Sequence, residues 1–178
     1  MIDFNDYYVD MLKKRFGKIK MMPLFSWDVF AMSSKKACDL AIYDKIVLHN
    51  MAKEQEWKSS PNFNQVFMDE ENVVVVTDLF ERIVWVSSGF KKMTGYERNE
   101  ALGLRPVQFL QGKLTDPSTK QLIRNKISNR EAGEFTLINY RKNGEPYHCY
   151  IKIEPIYNAN HELVNFLAIE KDMGVVAA

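Results

Sequence analysis

Along residues 1–57 apolar side chains return every three or four positions, whereas from about residue 71 they alternate or run together in short β-branched stretches. Phe4, Tyr8, Leu12, Phe16 and Ile19 share one face of a predicted helix, with Gly17 as its weak point. Pro23 interrupts that face, and Ser26 is placed to cap a restart. Ala37, Leu40, Ala41, Val47, Leu48 and Met51 mark a second helical stretch, and Ser59-Ser60-Pro61-Asn62 reads as a linker. The pattern divides the chain into a helical N-terminal extension, residues 1–60, and a mixed domain, residues 70–173.

Within the second part, Val73–Thr77 predicts a strand, Asp78–Glu81 its turn and Ile83–Val86 the returning strand. Ser88 is placed to cap a short helix that Gly95 ends, and residues 97–102 suit another. Thr115-Asp116-Pro117 opens a longer helix that Gly133 is expected to close. Three strands follow, over about 134–141, 146–156 and 162–171, joined by turns at Asn143-Gly144 and Asn158–His161. The order implies an α+β fold: one five-stranded antiparallel sheet with small helices on one face, plus the helical extension.

The period of two along the strands separates two faces. Phe135, Leu137, Asn139, Tyr147, Cys149, Ile151, Ile153, Phe166, Ala168 and Glu170 fall on one face. They outline a mostly apolar pocket whose polar points are Asn139, Cys149, Glu170 and, from the preceding segment, Gln111. That composition suits a small-ligand cavity, and equally a core filled by its own side chains. Ile138, Tyr140, Tyr150, Leu167 and Ile169 alternate with the first set, so the other face is apolar too and needs a cover. Residues 1–57 are the available cover, within one subunit or across a homodimer.

Composition narrows the function. The chain has 178 residues, 46% of them hydrophobic, with 24 basic and 23 acidic side chains, so it reads as globular and gives no reason to expect a polyanion binder. The cluster Lys13, Lys14, Arg15, Lys18 and Lys20 is diluted by Asp3, Asp6 and Asp10, which argues against a nucleic-acid or membrane surface. No apolar run approaches membrane-spanning length, and Met1–Asp6 lacks the basic start of a signal peptide. Cys38, Cys149 and three histidines form neither a disulfide framework nor a known zinc spacing, so a reduced, cytoplasmic protein is expected. Nucleophile-elbow, phosphate-loop and metalloprotease motifs are missing, and adjacent His148 and Cys149 point to opposite sheet faces; no enzyme is expected.

Several stretches together resemble the PAS sensory family. They are Val86–Tyr96, Ala101–Pro106, Phe109-Leu110-Gln111-Gly112, Asn139–Tyr147 and Phe166–Met173, in family order and at family spacing. The phrase Phe-Leu-Gln-Gly followed by Asn-Tyr-Arg-Lys is similar to the flavin-binding, light-sensing LOV branch. In that branch a cysteine two residues before the Phe forms the light-driven bond to flavin; Val107 holds that place here, and Pro106-Val107-Gln108 reads as an insertion. The resemblance assigns Asn139 and Gln111 to retained flavin-contacting amides. Cys149 and Glu170 replace the family's second asparagine and last-strand glutamine. An amide both donates and accepts, an ionised carboxylate only accepts, and a thiol does either weakly. The cofactor is therefore left unknown, with flavin one possibility. Haem is disfavoured, because helix 117–130 lacks the histidine that haem-binding relatives carry there.

These observations predict a cytoplasmic signalling protein that senses a small ligand or redox state. With the chain ending at Ala178, where relatives continue into a kinase, it is expected to lack an output domain and to signal through a protein partner. The ligand or cofactor residues expected are Asn139, Cys149, Glu170, Gln111, Phe166 and Leu137; the interface residues expected are Ile138, Tyr140, Tyr150, Leu167 and Ile169. The alternatives are a flavin photosensor without the adduct cysteine, a ligand-free interaction scaffold, or a fragment of a longer sensor kinase.

Overall fold

The computed structural model describes residues 26–176, with side chains from Asp39 onward. The helix expected over residues 4–19, the break at Pro23 and the basic cluster lie outside the described residues.

Helix α1 (Ser26–Glu54) and the single turn α2 (Phe63–Val66) precede the sheet. Strands β1 (Asn72–Thr77) and β2 (Ile83–Val86) form a hairpin. The short helices α3 (Phe90–Thr94), α4 (Arg98–Ala101) and α5 (Pro106–Phe109) follow, and then the longer α6 (Pro117–Ser128). Strands β3 (Gly133–Tyr140), β4 (Pro146–Tyr157) and β5 (Leu163–Val175) complete one antiparallel sheet in the order β2-β1-β5-β4-β3. The first and last strands are therefore neighbours at its centre, with Val73 opposite Glu170 and Val75 opposite Ala168.

The valine run of β1 is buried on both faces, which is why it reads as a continuous apolar stretch. Val73 and Val75 join the helix-side core with Phe90, Met93, Leu110, Tyr147 and Phe166. Val74 and Val76 join a second core with Leu48, Phe63, Trp85, Ile156 and Leu167. Val47, Met51, Trp57, Val66 and Phe67 pack on that second core, so residues 47–67 of the same chain cover the β2-β1-β5 part of the outer face. Leu167 lies in that second core and Ile169 packs against it. Ile138, Tyr140 and Tyr150 do not: they sit on β3 and β4, away from that cover, and Tyr140 is instead engaged by the loop before α6.

Three local expectations need correction. Ser88 does not cap α3; Gly89 stands at that position, and the Ser88 N–H donates to the Asp44 carboxylate at 2.7 Å. Gly133 does not close α6; Asn129 caps it, Arg130 takes the left-handed turn (φ 58°), and Gly133 opens β3. Strand β5 runs four residues past its expected end at 171, because Tyr147 pairs with Val175 across the sheet. Gly95, by contrast, ends α3 with φ 78°, as its place in the sequence predicts.

Candidate functional site

The segment between α5 and α6 is pinned to the edge of β3 by three hydrogen bonds, and a fourth braces the segment itself. Tyr140 N–H donates to the Leu110 carbonyl (2.7 Å), and Leu114 N–H donates to the Tyr140 hydroxyl (2.8 Å). The Thr115 hydroxyl donates to the Ile138 carbonyl (2.6 Å) and accepts from Gly112 N–H (3.0 Å). Gly112 is required there, since a Cβ would meet the Tyr140 ring at 2.5 Å. The clamp fixes Gln111 opposite Asn139 and aims it at the helix-side face of the sheet.

Beneath this segment lies a cavity of about 100 Å³. Its floor is Val75, Ile151, Ile153, Phe166, Ala168 and Glu170 from three strands; Ile123 and Ile127 of α6 and Val107 of α5 roof it. Gln111 lines it too, and Thr77, Lys120, Arg124 and Glu81 supply its other polar and charged side chains. Lys120 is half-buried and Arg124 exposed.

Glu170 is 3% exposed on that floor. Its only hydrogen-bond partner among the described residues is the Cys149 thiol, at 4.0 Å. Desolvation pushes its carboxyl up from the usual 4.5 to about 7. Burial likewise raises the Cys149 thiol and the Tyr147 phenol, and the Glu170 charge opposes ionisation of both. Cys149, fully buried, is a protonated, unreactive thiol, the role a core cysteine ordinarily takes.

Among the six residues expected at the site, the structure places Gln111, Phe166 and Glu170 in the cavity wall. Leu137, Asn139 and Cys149 face the same side and are buried, but they do not line it. The reason is filling: Phe90, Met93, Leu110 and Tyr147 pack as large buried side chains in the same core. This packing leaves loose ends. Gln111 Oε1, Asn139 Oδ1 and the Tyr147 hydroxyl are buried without a hydrogen-bond partner among the described residues.

Arg141 holds this end of the sheet closed. It donates to the Met93 carbonyl, pairs with Asp172 at 2.7 Å and Glu145 at 2.8 Å, and lies 4.5 Å over the Tyr147 ring. Sequence reasoning also missed Asp44, the buried acid on α1. Its signal was available: an acidic residue four positions from both Leu40 and Leu48 stands inside an apolar helix stripe.

The described residues contain no helix long and apolar enough to cross a membrane, and no cluster of histidine, cysteine and acidic side chains able to hold a metal ion.

Comparison with known proteins agrees with this architecture. A blue-light photoreceptor of Listeria monocytogenes is 39% identical over 103 residues, 56% of this chain and 40% of that protein. A blue-light-activated histidine kinase of Brucella canis is 37% identical over 91 residues, 51% of this chain and 18% of that protein. The chain thus spans well under half the length of these curated relatives. Among solved structures, the LOV domain from an Erythrobacter litoralis blue-light activated histidine kinase matches at 30% identity with a TM-score of 0.54, covering 57% of this chain and 95% of that one. The PAS domain from the fruit-fly ELK potassium channel matches at 31% identity with a TM-score of 0.57, covering 62% of this chain and 94% of that one. Residues 71–174 match the family model described as PAS domain, and the chain belongs to that family, as a sensory PAS domain related to LOV blue-light photoreceptors.

Proposed function

We propose that this chain senses a small, uncharged molecule held without a covalent bond between the sheet and α6. The observation that carries the reading is the pairing of Gln111 and Glu170 in one apolar cavity. The first has a buried, unpartnered carbonyl oxygen; the second is a buried carboxyl with only a distant thiol beside it. Native interiors rarely leave such groups unsatisfied, and a bound ligand is the usual remedy at a binding site. The volume of about 100 Å³ lies below the ~300 Å³ at which most ligand sites begin. One ring suits the present packing, and a larger ligand displaces wall side chains such as Val107 and Phe166.

A flavin is the second reading, favoured by the photoreceptor relatives and by two more orphaned atoms beside the cavity, Asn139 Oδ1 and the Tyr147 hydroxyl. These groups and Gln111 suit the alternating donors and acceptors of a flavin ring, whereas an ionised Glu170 does not. In this reading Gln111 and Asn139 would hold the ring. The flavin would supply redox chemistry rather than a thiol adduct, because the residue at the adduct position, Val107, has no sulfur.

The output proposed is a change in how α1 and α2 pack on the outer face, read by a protein partner or a second copy of the chain. Ile42 and Ile46, four residues apart and about half exposed on α1, offer that partner an apolar contact. The reading assigns the chain no catalytic step.

Native mass spectrometry and an absorption spectrum of freshly purified protein test it. A stoichiometric mass increment supports ligand sensing, and a flavin absorption band selects the second reading. A bare chain mass that no small molecule shifts sinks both and leaves an interaction scaffold.

A further inference from the structure

The reading above leaves open which chemical edge the cavity selects. A carboxylic acid in its protonated form presents a donor and an acceptor side by side; once ionised it presents acceptors only. The matching partner of the acid form is a ring edge with N–H and C=O adjacent, as in a lactam or cyclic imide, where two hydrogen bonds close at once. Glu170 sits on the floor where such an edge would meet it, and Gln111 overhangs the same space with an unpartnered amide oxygen.

We infer that Glu170, in its acid form and with Gln111 above it, selects neutral ring ligands bearing adjacent N–H and C=O groups, so that ligand binding weakens when Glu170 loses its proton. The inference rests on the ligand-sensing reading and adds the ligand's chemical class and its pH dependence.

The surroundings of Glu170 support the acid form. On β1 its cross-strand partner is Val73, and on β4 it is Ile151; neither carries charge. Cys149 and Tyr147 on β4 are held protonated by burial and offer no positive charge. Asp172, the next residue on this face of β5, is paired with Arg141. Of the cavity's cations on α6, Arg124 is exposed and Lys120 half-buried, neither pairs with Glu170, and Glu81 is the one further carboxylate in the wall. Nothing among these groups offsets the desolvation of a carboxylate at position 170, and the carboxyl stays protonated up to about pH 7. Ligands that need its O–H then lose about tenfold in affinity for each pH unit above that midpoint.

Uracil is a suitable probe, with its N,N-dimethyl derivative, which keeps both carbonyls and lacks the N–H, as control. Binding is followed by ligand-detected NMR on the full chain, one pH unit or more below and above about 7. The expected result is uracil binding that weakens by at least tenfold across that range, and dimethyluracil binding that is weak throughout. In Glu170→Gln, whose amide donates and accepts at every pH, uracil binding is retained and flat with pH. Uracil binding equally tight at both pH values in the wild type overturns the role of Glu170 while leaving the ligand-sensing reading in place. Dimethyluracil binding as well as uracil overturns the proposed edge. If neither uracil nor riboflavin binds wild type or Glu170→Gln at any pH, the ligand-sensing reading falls, and this inference with it.

Discussion

The Asp44 carboxylate accepts a hydrogen bond from the backbone N–H of Ser88 at 2.7 Å, tying α1 to the turn where β2 leaves the sheet. Asp44 is 1% exposed, and its second oxygen lies 3.8 Å from the Arg98 guanidinium, which also donates to the Val86 carbonyl. One buried side chain thus joins the N-terminal helix to the helix-side layer through the end of β2. Asp44→Ala leaves the Ser88 N–H without its partner, and a loss of about 1–3 kcal/mol is expected. Faster hydrogen exchange over residues 39–54, with β4 unchanged, is the accompanying signature; an unaltered exchange pattern would remove Asp44 as the tie.

The covered outer face gives a second expectation. Leu167 is fully buried in the core formed with Leu48, Phe63 and Trp85. Leu167→Ala should cost about 2–5 kcal/mol in urea unfolding, whereas Leu104→Ala, 40% exposed, should stay within about 0.5 kcal/mol of wild type. Ile169→Asp places a charge in the same half-buried contact and should loosen α1 without abolishing the sheet. Equal stability of the Leu167 and Leu104 variants would contradict the cover.

Gly112 and Tyr140 form a coupled pair. A methyl group at residue 112 would meet the Tyr140 ring at 2.5 Å, and that ring is held by Leu114 N–H. Gly112→Ala should lose about 1–3 kcal/mol through overpacking. On a Tyr140→Leu background the same change should cost little, and a double-mutant cycle reads the difference. A full cost in both backgrounds would place the strain elsewhere.

Glu170 sets a pH dependence whose sign is fixed by its raised midpoint. The unfolded chain releases this proton near 4.5 and the folded chain near 7. Between those values the folded state binds more protons, so stability falls as pH rises through the window and levels off above it. The loss is about 3–4 kcal/mol at ~1.4 kcal/mol per pKa unit. Subtracting the pH profile of Glu170→Gln from that of wild type should isolate this fall; Asp44, also raised by burial, is common to both and cancels. Parallel profiles would show that Glu170 is ionised in the folded protein.

The sheet was legible because its strands alternate cleanly. Counting in twos from Phe166 puts Glu170 on the helix side without any structure, and the same count orients Tyr147 through Ile153. What alternation cannot supply is how far neighbouring side chains reach. Asn139 and Cys149 face the predicted way, yet the packing that includes Phe90, Met93, Leu110 and Tyr147 excludes them from the cavity wall. Ser88 and Gly133 were misassigned for a related reason. A serine before a helix and a glycine after one are local signals; here Gly89 stands at the cap while Ser88 is drawn into a long-range bond to Asp44, and Asn129 with a left-handed Arg130 ends α6. The contributions of Val107, Ile123 and Ile127 to the roof depend on where α5 and α6 settle, which no short-range pattern specifies.

The most direct test of the central claim, that the polar groups in this cavity serve a ligand rather than the fold, is thermal unfolding of wild type and Gln111→Leu with and without uracil. If Gln111 Oε1 is buried without a protein partner, an apolar side chain of similar size should leave the free protein as stable or more so. Uracil should raise the melting temperature of wild type and leave that of the variant unmoved. A variant that melts lower than wild type, with uracil shifting both equally or neither, would show that Gln111 is part of the scaffold and contradict the account.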